Sequence, residues 1–145
     1  RERAKQLVLE ITERGVPDQL GLSALNGISA TGVRVALDDT TLSGANLALL
    51  TRCHFDFVKL GHELIMQLGG TERPQWLAGL AALLGTSGLQ VIAEGIEKAE
   101  QATILAEAGV QFAQGHLFSA ALPADELKRY YARHSPTPSS TESAR

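Results

Sequence analysis

Polar and charged side chains recur near one end of several short apolar runs, and their types are those that metal-dependent hydrolysis uses. The set comprises Glu10, Asp38, Asp39, Lys59, Glu94 and Gln114. Acidic residues at such positions often cap the helix that follows. Capping does not select for Lys59 or Gln114, so the set as a whole favours a functional site.

Charge limits the chemistry that these residues can perform. The carboxylates of Glu10, Asp38 and Asp39 would repel one another at short range unless cations neutralised them. Hard oxygen ligands select Mg²⁺ or Mn²⁺, and adjacent aspartates suit a two-metal site for phosphodiester hydrolysis. Lys59 would then orient the attacking water or neutralise a phosphate oxygen. Glu94 would bind metal through water or hydrogen-bond the site.

The elements that must position these side chains alternate between short apolar runs and helical stretches. Apolar runs with little polar alternation are typical of buried parallel strands. The predicted strands are Leu7–Ile11, Val33–Leu37, Phe55–Leu60, Leu89–Ala93 and Val110–Phe118. The predicted helices are Asp18–Ala30, Leu42–Thr51, Glu63–Leu68, Pro74–Leu84, Ala99–Ala108 and Asp125–Arg133. This alternation predicts a parallel α/β sheet or barrel.

Two architectures accommodate five βα units in a chain of 145 residues. One is a complete, doubly wound five-stranded fold, and the other is part of a (β/α)₈ barrel, which typically needs about 250 residues. Periodicity does not separate them, but polar residues at the carboxyl ends of strands mark the active-site face of a barrel. Residues 134–145 are rich in Ser, Thr and Pro, so we expect a disordered tail after a domain of residues 1–133.

Composition argues against several classes of function. The net charge of −3 gives no field for non-specific binding to nucleic acid or membrane surfaces, and an aromatic content of 5% argues against base stacking. The single cysteine, Cys53, excludes an internal disulfide framework and fits a reducing compartment. An Asp pair with a Lys also occurs in phospho-acceptor receiver domains. There the Lys follows the last strand, where this sequence has Gln114.

Five motifs, in order along the chain, resemble those of EAL domains, the bacterial cyclic di-GMP phosphodiesterases. The matching segments are Leu9–Glu13 (E-[LIV]-T-E), Ala36–Asp39 (the DDFGTG strand end), Phe55–Leu60 (D-x-[LIV]-K-[IL]-D), Val91–Glu97 (VIAEGVE) and Gln114–Phe118 (QGYLF). No single motif is decisive, whereas the ordered set covers nearly all of the chain before the predicted tail. The sequence is therefore identified as a member of this family.

The resemblance implies a (β/α)₈ TIM-type barrel, of which this chain would form about five C-terminal βα units. It implies hydrolysis of cyclic di-GMP to linear pGpG with two Mg²⁺ or Mn²⁺ ions. By position, Glu10, Asp38 and Asp39 would be metal ligands.

The resemblance also implies roles for residues around the metals. Lys59 would help to position the attacking water, and Glu94 and Gln114 would belong to the same site. Glu13 would hold the loop after the Asp pair, which in the family couples substrate, metal and dimerisation. Glu97 would have a supporting role.

The sequence also departs from the family pattern. The E-A-L segment with its metal-ligand Glu, and the metal-ligand Asn of the next strand, would lie before Arg1. An opened barrel exposes strand edges, so we expect poor stability of this chain alone. Residues 40–44 (Thr-Thr-Leu-Ser-Gly) replace Phe-Gly-Thr-Gly-Tyr, and Gly61 replaces a frequent Asp. Ala120-Ala121 stands where a basic residue and Pro often occur.

Three hypotheses follow from these observations. The first is a phosphodiesterase that takes cyclic di-GMP as substrate, is homodimeric through the barrel, and acts in the cytoplasm without contacting nucleic acid or membrane through this segment. A membrane anchor elsewhere in the protein stays open. The second is a catalytically degenerate domain that acts as a cyclic di-GMP receptor or protein-interaction module, which the altered loop favours. The third is a self-contained five-stranded α/β domain without this activity.

Overall fold

A computed structural model describes residues 4–12, 19–40, 49–69 and 74–134. A short 3₁₀ helix, Ala4–Gln6, precedes the first strand. The strands are β1 (Val8–Thr12), β2 (Arg34–Thr40), β3 (Phe57–Leu60), β4 (Gln90–Ala93) and β5 (Phe112–Ala113). The helices are α1 (Gln19–Ser29), α2 (His62–Ile65), α3 (Gln75–Ser87), α4 (Ala99–Glu107) and α5 (Ala124–His134). Residues 49–52 are also helical, whereas the rest of the predicted Leu42–Thr51 helix lies outside the described residues.

The five strands form one parallel sheet in the order β1-β2-β3-β4-β5. Doubly wound sheets reverse their strand order at a switch point, whereas neighbours in a βα barrel follow one another along the chain. The prediction of five βα units is therefore confirmed. The alternative of a doubly wound domain is wrong, because this sheet contains no reversal.

The hydrophobic core lies between the sheet and its helices. Residues of β2, β3 and β4 contribute most of the sheet's share of it, and successive side chains in a strand point to opposite faces. One cluster joins β2 to α1 through Val35, Leu37, Leu22 and Leu25. The other joins β3 and β4 to α2, α3 and α4 and includes Leu60, Ile65, Leu77, Val91 and Leu105. Lys59 alternates with these core positions and therefore lies on the opposite face of the sheet.

Local signals explain where two of the helices begin and end. Pro74 precedes α3, and Gly88 ends it with a φ of +68°, a left-handed conformation that glycine adopts without strain. The backbone of Lys98 is extended immediately before α4, and Gly109 follows that helix with a φ of +86°. These ends bring β4 and β5 back to the sheet in parallel.

Several predicted boundaries need correction. Strand β2 continues to Thr40, so Asp38 and Asp39 lie within it rather than after it. Strand β5 has two residues instead of the predicted Val110–Phe118, because the chain turns at Gly115, whose carbonyl accepts hydrogen bonds from the next turn. Helix α2 spans His62–Ile65 rather than the predicted Glu63–Leu68, and α5 extends to His134, the first residue of the predicted tail. Residues 135–145 lie outside the described residues.

Candidate functional site

Lys59 lies at the centre of a cluster of carboxylates at the carboxyl edge of the sheet. Its Nζ is 2.9 Å from Oε1 of Glu10 in β1, 2.9 Å from Oδ1 of Asp38 in β2, and 2.7 Å from Oε1 of Glu94, which follows β4. The Lys59 side chain is only 6% exposed, although it carries a charge. Parallel strands bring these distant residues together because their carboxyl ends meet at one edge of the sheet.

The protonation state of Lys59 follows from two opposing effects. Burial lowers the pKa of an ammonium group, whereas hydrogen bonds to Glu94, Asp38 and Glu10 raise it. The hydrogen bonds outweigh burial, so the pKa of Lys59 lies above its usual value. Lys59 therefore stays protonated at neutral pH and serves as a fixed positive charge rather than as a general base.

Gln114 extends this cluster beyond β5. Its Nε2 donates to Oε1 of Glu94 over 2.7 Å, the same carboxylate oxygen that contacts Lys59. The backbone N–H of Gln114 donates to the carbonyl of Ala93 over 2.8 Å and so continues the pairing of β4 with β5. The structure thus brings together Glu10, Asp38, Lys59, Glu94 and Gln114, as the sequence predicts.

Asp39 takes a different direction because β2 contains a bulge. Leu37 pairs with Val58 and Thr40 with Leu60, so β2 has one residue more than β3 over this interval. Asp39 adopts a φ of +53°, a left-handed conformation that aspartate tolerates better than most residues. Its N–H donates to Oδ1 of Asp38 over 2.9 Å. The bulge leaves the Asp39 side chain exposed at the rim of the cluster.

Gly61 makes room for the carboxylate of Asp39. A Cβ atom at position 61 would lie 2.7 Å from Oδ1 of Asp39, closer than real Cβ contacts allow. A side chain at position 61 would therefore displace the Asp39 carboxylate.

The donor atoms of the cluster suit a divalent cation in type. Glu10 and Asp38 offer hard carboxylate oxygens, and with Glu94 they outnumber the single positive charge of Lys59. Within the described ranges, however, no three His, Cys, Asp or Glu side chains gather closely enough to hold a metal ion. The residues therefore fit as part of a coordination shell that needs further ligands.

The structure gives a partial account of the two loop-supporting candidates. Glu13 lies outside the described part of the chain, as do residues 41–48, which include most of the altered segment after the Asp pair. Glu97 lies in the loop between β4 and α4, where its side chain is exposed and its N–H donates to Oε1 of Gln101 over 3.0 Å. Glu97 is three residues from Glu94 in the sequence, but it makes none of the contacts given above for the Lys59 cluster.

Two further polar residues, Asp56 and Gln101, form hydrogen bonds between the segments that position the site, and the sequence pattern predicts no functional role for them. Oδ2 of Asp56 accepts a hydrogen bond of 2.8 Å from the N–H of Val35 and so ties the start of β2 to the segment before β3. Gln101 bridges the start of α4 to the last residue of α2. A sequence signal existed for Gln101, because glutamine at the third helical position is typical of a capping box.

Comparisons with known proteins identify the family of the chain. A family model for the EAL domain matches residues 1–121. The probable cyclic di-GMP phosphodiesterase PdeN of Escherichia coli is 34% identical over 127 residues, which cover 86% of this chain and 24% of that protein. The chain thus spans about a quarter of the length of this curated relative.

Solved structures give the same result. The EAL enzyme Bd1971 with cAMP and cyclic di-GMP bound is 28% identical, with a TM-score of 0.79, over 87% of this chain and 34% of that one. Klebsiella pneumoniae BlrP1 in a manganese and cyclic di-GMP complex is 30% identical, with a TM-score of 0.69, over 81% of this chain and 31% of that one. The chain belongs to the EAL domain family, and its five βα units are part of a TIM-type barrel.

Among the described residues, no helix is both long and apolar enough to cross a lipid bilayer.

Proposed function

We propose that this chain forms part of a metal-dependent phosphodiesterase that hydrolyses cyclic di-GMP to linear pGpG. The observation that carries the proposal is the Lys59 cluster, in which Glu10, Asp38 and Glu94 share one buried ammonium group at the carboxyl edge of a barrel sheet. Membership of the EAL family supports cyclic di-GMP as the substrate. Relatives that carry the name phosphodiesterase support hydrolysis as the reaction.

The reaction adds one water molecule across one phosphodiester bond. A water oxygen bonds to phosphorus, a phosphorus–oxygen ester bond breaks, and the released ribose oxygen takes up a proton. Lys59 stays protonated throughout, so it can hold the attacking water or neutralise a phosphoryl oxygen, but it does not remove the proton. Glu94 is held by Lys59 and Gln114, and it fixes the direction in which the ammonium group points.

Divalent ions would neutralise the phosphate and activate water in such a reaction. Glu10, Asp38 and Asp39 are the residues of this chain that we assign to binding Mg²⁺ or Mn²⁺. The excess of carboxylates over ammonium groups in the cluster supports this assignment, and the exposed carboxylate of Asp39 is accessible from solvent. The metal ions would need further ligands besides Glu10, Asp38 and Asp39.

The proposal is tested by turnover in the intact protein after treatment with a chelator. Addition of Mg²⁺ or Mn²⁺ should restore formation of pGpG, and Glu10→Gln and Asp38→Asn should each reduce kcat by roughly 100-fold or more. Glu126→Gln is the matched control, because Glu126 is an exposed residue in the first turn of α5. Equal turnover in all three variants would contradict the proposal.

A second candidate is a receptor that binds cyclic di-GMP without cleaving it. The observation that favours it is the sequence Thr-Thr-Leu-Ser-Gly at residues 40–44, which lacks two glycines and an aromatic residue of the family pattern after the Asp pair. Binding of cyclic di-GMP with no pGpG formed in the presence of either metal would support the receptor over the enzyme.

The family resemblance further supports two features of the intact protein. We assign it to the cytoplasm, and to a homodimer formed through the barrel, in which Glu13 holds the loop that follows the Asp pair. Light scattering of the intact protein tests the homodimer. A monomer at micromolar concentration would contradict this assignment.

A further inference from the structure

Gln101 in α4 is a buried amide that lies outside the Lys59 cluster. Its side chain is only 3% exposed. Oε1 accepts hydrogen bonds from the N–H groups of Glu97 and Lys98, both over 3.0 Å, and Nε2 donates to the carbonyl of Ile65 over 3.3 Å. Both the oxygen and the nitrogen of the Gln101 amide are therefore hydrogen-bonded, in each case to backbone groups outside the body of α4.

These hydrogen bonds join the two segments that follow the key charged residues. Ile65 is the last residue of α2, which follows β3 and Lys59. Glu97 and Lys98 close the loop that begins at Glu94 after β4. Gln101 therefore connects the segment leaving Lys59 with the segment leaving Glu94, on the helix side of the sheet.

The rest of this β4–α4 loop is already fixed on its other sides. Ile96 is fully buried, its N–H donates to the carbonyl of Gln114 over 3.1 Å, and its carbonyl accepts from the N–H of Leu117 over 2.9 Å. Gly95 has a φ of +70° and lies so close to His62 that a Cβ atom would be 2.6 Å from Nδ1. Glu94 itself donates its N–H to the carbonyl of Leu60 over 3.3 Å, and Gln101 attaches the end of the loop nearest α4.

We propose that Gln101 is a positioning residue that directs the carboxylate of Glu94 toward Lys59 and Gln114. Glu94 has to meet both partners at 2.7 Å, so a small shift of the loop breaks at least one contact. A displacement of about 1 Å in a reacting group can reduce the rate by roughly 100-fold. The alternative is that Gln101 only caps α4, which would affect stability and leave the catalytic step unchanged.

The catalytic test rests on the proposed phosphodiesterase function. Gln101→Met removes the amide while keeping a side chain of similar length. Gln101→Glu keeps an acceptor oxygen for the two N–H groups. Leu105→Ala is the matched control, because Leu105 is 1% exposed in the same helix and its truncation destabilises the core without removing a hydrogen bond to the loop. All variants are assayed as intact protein with Mn²⁺, below the temperature at which any of them unfolds.

We expect Gln101→Met to lower kcat by roughly 10- to 100-fold and to change KM by less than about twofold. Gln101→Glu keeps the acceptor for the two N–H groups but loses the bond to Ile65, so its kcat should lie between those of Gln101→Met and the unmodified protein. Leu105→Ala should retain the kcat of the unmodified protein. A kcat for Gln101→Met equal to that of Leu105→Ala would overturn the proposal.

A second measurement separates this proposal from the proposed function. If the unmodified protein forms no pGpG, the phosphodiesterase assignment fails, whereas the position of Glu94 is still readable by NMR. Gln101→Met should shift the ¹⁵Nζ resonance of Lys59 and speed amide exchange at Glu97 and Lys98, whereas Leu105→Ala should leave the Lys59 resonance in place. An unshifted Lys59 resonance in Gln101→Met would overturn the proposal whatever the activity.

Discussion

Replacing Lys59 with methionine removes the ammonium group that three carboxylates share and keeps most of the buried aliphatic chain. Asp38 and Glu94 are largely buried, with side chains 19% and 22% exposed, and hydrogen bonds to charged groups of this kind contribute about 1.5–3 kcal/mol each. Glu10 is 51% exposed, so its contribution is under about 1 kcal/mol. Breaking a buried ion pair by removing one partner typically costs about 3–5 kcal/mol, and we expect a loss in this range.

Native-state amide hydrogen exchange of β3 measures this loss locally, because Lys59 lies in this strand and exchange reports the free energy of its opening. A loss of about 3 kcal/mol corresponds to exchange that is faster by roughly 100-fold. Added Mg²⁺ or Mn²⁺ should recover part of the protection in Lys59→Met, because a cation relieves the repulsion among the three carboxylates. Turnover should not recover, because the fixed ammonium group is still missing.

Lys128→Met is the matched control for Lys59→Met. Lys128 makes the same type of contact, 3.5 Å from Oδ1 of Asp125, but both side chains are at least 80% exposed. An exposed pair of this kind contributes between 0 and about 1 kcal/mol. If Lys59→Met altered exchange in β3 no more than Lys128→Met does, the Lys59 cluster would not be the electrostatic centre described here.

Three further perturbations test other parts of the structure. Gly61→Ala should displace Asp39 and lower kcat by roughly tenfold, because the added Cβ would lie 2.7 Å from Oδ1 of Asp39. Gly79→Ala is the control in steady-state kinetics and should keep kcat unchanged, because a Cβ atom at position 79 has open space around it. Gly115→Ala should destabilise the protein by about 3 kcal/mol or more, since its Cβ would overlap the backbone of Ile96; a thermal melt of unchanged midpoint would contradict this. The 145-residue chain alone, which exposes apolar residues such as Leu20 and Phe118, should lack a cooperative thermal transition by circular dichroism.

The number and order of the strands could be predicted because apolar runs are short-range patterns of the sequence. Apolar runs identify buried parallel strands, and the shared direction of those strands brings Glu10, Asp38 and Lys59 to one edge. The same reasoning predicts that Gln114 lies at this edge, although β5 is much shorter than expected. Its backbone pairing with Ala93, rather than the length of the strand, places it.

The features that the sequence did not predict depend on tertiary contacts. The bulge at Asp39 arises from the register of β2 against β3, which no local pattern specifies. The role of Gln101 depends on the approach of α2 to α4, two helices whose contact requires the folded sheet. The fit of Gly61 to Asp39 is also visible only once both strands are paired.

The most direct test of the central claim is hydrolysis of cyclic di-GMP by the intact protein in H₂¹⁸O with Mn²⁺, followed by mass spectrometry. The Lys59 cluster predicts pGpG with one ¹⁸O atom on its terminal phosphate, and no labelled product with Glu10→Ala. Cyclic di-GMP that binds to the protein but stays unlabelled and intact would contradict the claim that this cluster performs hydrolysis.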